Sequence, residues 1–268
     1  MNRATFLSLA AFAPFAAASP AHARTMSEEY LQWAQSLVDE LTPERNVYGS
    51  HPTYVEWNDA AMGRSARNRS VCSSFASHVL EQSFGYTPGD IGTWFGKPVP
   101  QAREYHDTIA AGRGFERIEH VPAIRPGDII AVAYPEGSHP TGHVMIAASL
   151  ANARGATAPF EAGTQQYEID VIDSANSGHG TTDTRHRPGG TWTTGAGRGT
   201  LRLYARPDDT LAGYAWSTSV HSVFRPAAVR RPAIGRLEVA RVPHPSGRPG
   251  VSLEEPDAGT SADDAASD

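Results

Sequence analysis

Three residues in this chain have the types and contexts needed to break an amide bond: Cys72, His143 and Asp173. Cys72 is the only cysteine in 268 residues, so no intramolecular disulfide can form. A lone cysteine serves as a small buried hydrophobe, an intermolecular crosslink or a reactive thiol. Its setting, Ser70-Val71-Cys72-Ser73-Ser74-Phe75, falls at the first turn of a predicted helix. Free backbone N–H groups and the positive end of the helix dipole stabilise a thiolate there. Ser73 and Ser74 keep that turn polar, while Phe75 and Val79 give the helix a face to bury.

A thiolate nucleophile needs a base beside it. His143 opens the apolar run Gly142-His143-Val144-Met145-Ile146, which would fix its backbone in a strand and turn its ring to a cleft. A third group must hold the imidazole through its other nitrogen. Asp173 is suited to that task at the end of the next strand, in Val171-Ile172-Asp173-Ser174, with Asn176 and His179 as alternatives.

These motifs resemble the NlpC/P60 family, papain-like cysteine peptidases of bacterial cell walls. The nucleophile motif of that family, of the type Asp-Cys-Ser-Gly-Leu, is similar to Val71-Cys72-Ser73-Ser74-Phe75. Its Pro-Gly-Asp-Leu strand corresponds to Pro126-Gly127-Asp128-Ile129, and its His-Val strand to His143-Val144. The resemblance runs from about Tyr48 to Ser174. It implies an α+β papain-like fold, N-terminal helices packed on an antiparallel sheet, and hydrolysis of a peptide or amide bond in peptidoglycan. It also assigns Tyr54, in Tyr54-Val55-Glu56-Trp57, to the oxyanion beside the Cys72 N–H, and the third polar position to Asp173. The chain departs from the family pattern at Val71 in place of an acid, at Ser74 in place of glycine, and at Asp173 in place of histidine. The related CHAP amidases share the order Cys then His. An acyl or amide transferase would use the same dyad, and a cell-wall binding module could use the same scaffold without the chemistry.

Positioning these residues requires a helix from Ser27 ending before Pro43, with Tyr30, Ala34, Leu37 and Leu41 at helical spacing. An irregular stretch, 46–69, follows. The nucleophile helix starts near Ser70, and one or two short helices lie within 87–114, including Ala102 to Ala111. Strands are predicted at Ile129–Ala133, His143–Ala148, Glu168–Ile172, Gly199–Tyr204 and Leu211–Trp216. Helices followed by a run of strands imply the α+β class. Ser74 and Trp94, the latter in Gly92-Thr93-Trp94-Phe95-Gly96, are the candidate substrate contacts, whereas Trp216 reads as strand core.

Residues 1–23 predict a secretory signal peptide: Arg3, an apolar run over 4–18, and Ala21-His22-Ala23 as the cleavage site. The hydrolase domain is then expected over 24–224 of an exported, periplasmic or secreted monomer, without stable membrane insertion. Residues 225–268 are expected to form a solvated extension and a disordered acidic tail. A formal net charge of −6 with no basic stripe excludes a nucleic-acid partner. His139, His179, Asp183 and His186 suggest metal ligation, but a Gly/Thr/Arg-rich loop lacks the fixed geometry zinc needs. No metal or cofactor is expected, and the partner is the peptidoglycan or peptide substrate.

Overall fold

The computed structural model describes residues 25–246. The expected signal peptide, and the tail from residue 247 with its acidic residues, lie outside the described residues. The first helix, α1 (Met26–Glu40), begins at Thr25 and not at Ser27. Thr25 and Glu28 close a reciprocal capping box, and Glu28 and Glu29 sit where the dipole favours anions. Tyr30, Ala34 and Leu37 form its buried stripe, and the Tyr30 hydroxyl donates to Ala76 O (3.0 Å).

The stretch expected to be irregular contains a small sheet. It comprises β1 (Asn46–Tyr48), β2 (Tyr54–Glu56) and β3 (Arg67–Ser70), with β3 central and parallel to β1. Its sequence shows no apolar alternation because buried amides and hydroxyls hold it. Asn68 donates to Asn46 Oδ1 (2.9 Å), Asn46 donates to Ala196 O (2.7 Å), and Ser174 Oγ donates to Ser70 O (2.8 Å). Three helices follow: α2 (Cys72–Phe84), α3 (Pro88–Phe95) and α4 (Ala102–Ala110). Gly85, at φ 75°, ends α2 in the left-handed conformation that glycine tolerates.

The remaining strands build one antiparallel sheet. They are β4 (Phe115–Arg117), β5 (Ile129–Ala133), β6 (Gly142–Ala147), β7 (Asn152–Ala153), β8 (Gln165–Ala175), β9 (Gly195–Ala205), β10 (Leu211–Ala215), β11 (Phe224–Pro226) and β12 (Arg231–Leu237). The order is β11-β10-β9-β8-β6-β5-β12-β4, with β7 paired beside β6 on the edge of β8. β5 is buried on both faces, which explains its unbroken apolar run: Ile129 and Ala131 join the core under the helices, Ile130 and Val132 the core on the far side. On the far side, the loop before β5 is tied to the β9–β10 turn where Val121 N donates to Asp209 O (2.9 Å).

The domain does not stop at Phe224. β11 extends the β10 edge, and β12 lies between β5 and β4, so the expected solvated extension is an interior strand. Its anchor is Arg236, whose Nε and Nη2 reach the two oxygens of buried Asp128 at 2.9 Å each. Pro243 and Ser246, expected in the tail, accept from Tyr86 and donate to Asp90 beside α3. Among the described residues, no helix is long and apolar enough to cross a membrane.

Candidate active site

Cys72 is the first residue of α2, immediately after β3, and is 6% exposed. Phe75 N donates to Val71 O as the first helical bond, so the Cys72 N–H lies in the turn that has no intrahelical acceptor. Ser74 accepts from Val71 N (3.0 Å) and donates to Val71 O (3.1 Å). The hydroxyl expected to contact substrate is therefore the cap of the nucleophile helix, although Ser74 still lines the cleft.

His143 is the second residue of β6, and Asp173 lies near the end of neighbouring β8. His143 Nε2 is 2.6 Å from Asp173 Oδ2, and Cys72 lies close enough to the ring to act on its charge, with Nδ1 the ring nitrogen left over. Burial opposes a charge on His143. The adjacent Cys72 and Asp173 outweigh it and raise its pKa to about 10. All three sequence-predicted catalytic residues thus meet at one point.

Asp173 is fully buried and carries more than one partner. His179 Nε2 is 3.0 Å from the same Oδ2, and Arg185 Nη2 is 2.9 Å from Oδ1. Burial pushes its carboxyl upward, but Arg185, His179 and His143 hold it well below the ordinary carboxylate range. Arg185 in turn forks onto Asp183 through Nε and Nη2 (2.8 Å each). His179 Nδ1 donates to Trp216 O (2.8 Å), and the Trp216 ring stacks on His179 at 4.3 Å and meets His143 edge-on at 4.8 Å. The Gly/Thr/Arg-rich loop, expected to lack fixed geometry, is instead built on buried His179, Asp183 and Arg185.

β9 makes room for that loop with Gly195-Ala196-Gly197-Arg198-Gly199. A Cβ at Gly197 would lie 2.6 Å from Arg185 Nε, and one at Gly199 would lie 2.4 Å from Asp183 Oδ2. Alternate glycines on one strand were the available signal for this network. Gly197 also pairs directly with Asp173 in the sheet.

A cleft of about 710 Å³ opens at Cys72, between the start of α2, the prolines Pro98, Pro100 and Pro140, and Tyr48. Its lining residues include no Lys or Arg, and Glu81 is the one carboxylate among them. Tyr48 is the tyrosine at the site, its phenol pushed up to about 12 by burial and by the charges of Cys72 and Asp173. Tyr54, expected there, packs its ring under the Arg67 guanidinium at 4.8 Å. Trp94 is not a cleft residue: its Nε1 donates to Arg113 O (2.8 Å) and its ring stacks on Phe115 in the core. Trp216, read as strand core, packs against the far-side core and also lies against His143 and His179. Among the described residues, Asn176 makes no hydrogen bond or ion pair with the cluster around Asp173, whereas His179 belongs to it beside Asp173 rather than in its place. Among the described residues, no cluster of His, Cys, Asp and Glu has metal-holding geometry.

The chain is 32% identical over 224 residues to the uncharacterized protein R653 of Acanthamoeba polyphaga mimivirus. The match spans 78% of this chain and 96% of the viral protein, and the chain belongs to the same family as R653. No family model matches the chain, and no solved structure matches it.

Proposed function

We propose that the protein is an exported cysteine hydrolase of papain-like, NlpC/P60 type that cleaves a peptide or amide bond in peptidoglycan. The observation that carries this reading is the juxtaposition of Cys72 at a helix start, His143 beside it, and an ionised Asp173 at 2.6 Å from the His143 ring. The Cys72 thiolate attacks the carbonyl carbon, and the developing oxyanion takes hydrogen bonds from the Cys72 N–H and the Tyr48 hydroxyl. The C–N bond then breaks as His143 gives its Nδ1 proton to the leaving amine, leaving a thioester on Sγ. Water attacks the thioester, His143 takes a proton from it, and the acid product leaves with the thiolate restored. Asp173 fixes the ring and stabilises the imidazolium throughout. The high phenol pKa keeps Tyr48 a donor at neutral pH.

The test combines iodoacetamide alkylation of Cys72 with product analysis on isolated peptidoglycan. Rapid alkylation at mildly acidic pH that is lost in His143→Ala, together with peptide release that is lost in Cys72→Ala, supports the proposal. Peptide release that persists in Cys72→Ala overturns it.

A further inference from the structure

A second cavity, away from the catalytic cleft, lies at the edge of the sheet. β4 pairs with β12 only across Phe115–Arg117 and Gly235–Leu237, so Arg231, Pro232 and Ala233 have no strand on that side. The gap opens into a cavity of about 560 Å³ between this half of β12, the end of α4, and the β9–β10 turn. Its walls are apolar, formed by Ile109, Ala110, Ile118, Leu211 and Ile234.

The polar groups around it are cationic, although the chain as a whole is acidic. Arg117, Arg206 and Arg231 line it, against a single carboxylate, Glu119, which pairs with Arg117 at 3.1 Å. Arg206 donates only to neutral oxygens, Thr210 Oγ1 and Leu211 O. Arg231 has no hydrogen-bond or ion-pair partner among the described residues. His106, 7% exposed, also lines it, with Nδ1 donating to Asp107 Oδ1 at 2.8 Å. Among the described residues, its Nε2 has no hydrogen-bond partner.

Guanidinium groups gathered around one cavity repel one another, and an anion between them removes that cost. The volume lies within the range of small-ligand pockets, and apolar walls with a few convergent polar groups are the usual composition of such sites. No Phe, Tyr or Trp lines the cavity to stack a base, which argues against a nucleotide. We propose that this cavity binds an amphipathic carboxylate, with its head between Arg231 and Arg206 and its apolar chain against Ile118 and Ile234. The inference is independent of the proposed hydrolysis.

The test is calorimetric titration of the full chain with decanoate, beside decanol and inorganic phosphate, in wild type, Arg231→Gln and Ile118→Arg. Decanoate should bind one to one. Affinity should fall about tenfold in Arg231→Gln, as expected for losing a charge-assisted contact, and should be lost in Ile118→Arg. Circular dichroism verifies that each variant is folded, and the His106 ring resonances should shift on binding. The proposal is overturned if decanoate does not bind at millimolar concentration, if Arg231→Gln binds as tightly, or if decanol binds equally well. Phosphate binding with the same Arg231 dependence, in the absence of decanoate binding, would mark a bare ion site and likewise overturn it.

Discussion

His143 and His179 both bring Nε2 against the same oxygen of Asp173, at 2.6 and 3.0 Å. Only His143 reaches Cys72. His179 is fixed through Nδ1 at Trp216 O and through Nε2 at Asp173, so it braces the carboxylate. Removing a group that orients another catalytic residue typically costs 10- to 100-fold. His179→Gln should therefore lower kcat by about that factor, with KM little changed, while Cys72 remains alkylatable. An unchanged kcat in His179→Gln would assign His179 to packing alone.

Asp173→Asn should act on both catalysis and stability. An amide cannot stabilise the His143 imidazolium, and it leaves Arg185 buried with one carboxylate partner, Asp183, in place of two. Breaking a buried ion pair from one side costs about 3–5 kcal/mol. Urea unfolding should show a loss near the lower end of that range, since Asp183 remains. A variant as stable as wild type would contradict the ion-network account.

The network should also set how stability depends on pH. The folded pKa of His143, about 10, lies above its ordinary 6.5, so its contribution is complete below about pH 6.5 and is lost as pH rises through about 10. Asp173 is shifted the other way, so its contribution is complete above its ordinary 3.8 and is lost as pH falls through its lower folded value. Stability from this cluster should be greatest between these limits. Because Cys72 is the foremost cause raising His143, Cys72→Ala should move the alkaline decline to lower pH. Unfolding midpoints across the alkaline range in both proteins test this, and superimposed curves would refute the coupling.

The sequence made the juxtaposed pair Cys72 and His143 legible because its signals are local: a cysteine at a helix start and a histidine opening an apolar strand. Asp173 followed from its place at the next strand end. Tyr48 was hidden because a three-residue strand of Asn-Val-Tyr has no periodicity, and Tyr54, in the more suggestive stretch, was chosen in its place. Trp94 was misplaced for a related reason. A glycine-flanked Trp94 suggests a loop in contact with solvent, yet the aromatic rings of Phe95 and Phe115 enclose it. Trp216 follows directly after a strand and packs against the far-side core, yet it also stacks on His179, which a loop supplies.

The exchange of tyrosines gives a paired prediction. Tyr48→Phe removes an oxyanion donor and should lower kcat by about 100-fold, whereas Tyr54→Phe keeps the ring under Arg67 and should leave kcat unchanged. Equal effects of the two substitutions, measured on the same substrate, would remove Tyr48 from the mechanism.

The strand missed in the C-terminal region supports the sharpest test of the fold. Arg231–Leu237 carries Arg231, Pro232 and Arg236, a composition that reads as solvated, yet it pairs with β5 through five consecutive residues. Proline is tolerated at position 232 because its missing N–H faces away from β5, toward the stretch where β12 has no strand partner. Arg236 is fixed by the fully buried Asp128, whose carboxyl burial pushes upward even with the guanidinium beside it. A chain ending at Phe224 would expose one edge of β5 and leave that aspartate without its counter-ion, so it should fail to fold. A chain ending at Ser246 should keep the wild-type unfolding transition. Arg236→Met in the full chain isolates the ion pair from the strand, with an expected loss of about 3 kcal/mol. A folded, cooperative 1–224 chain would show instead that β12 is an accessory to a sheet already complete without it.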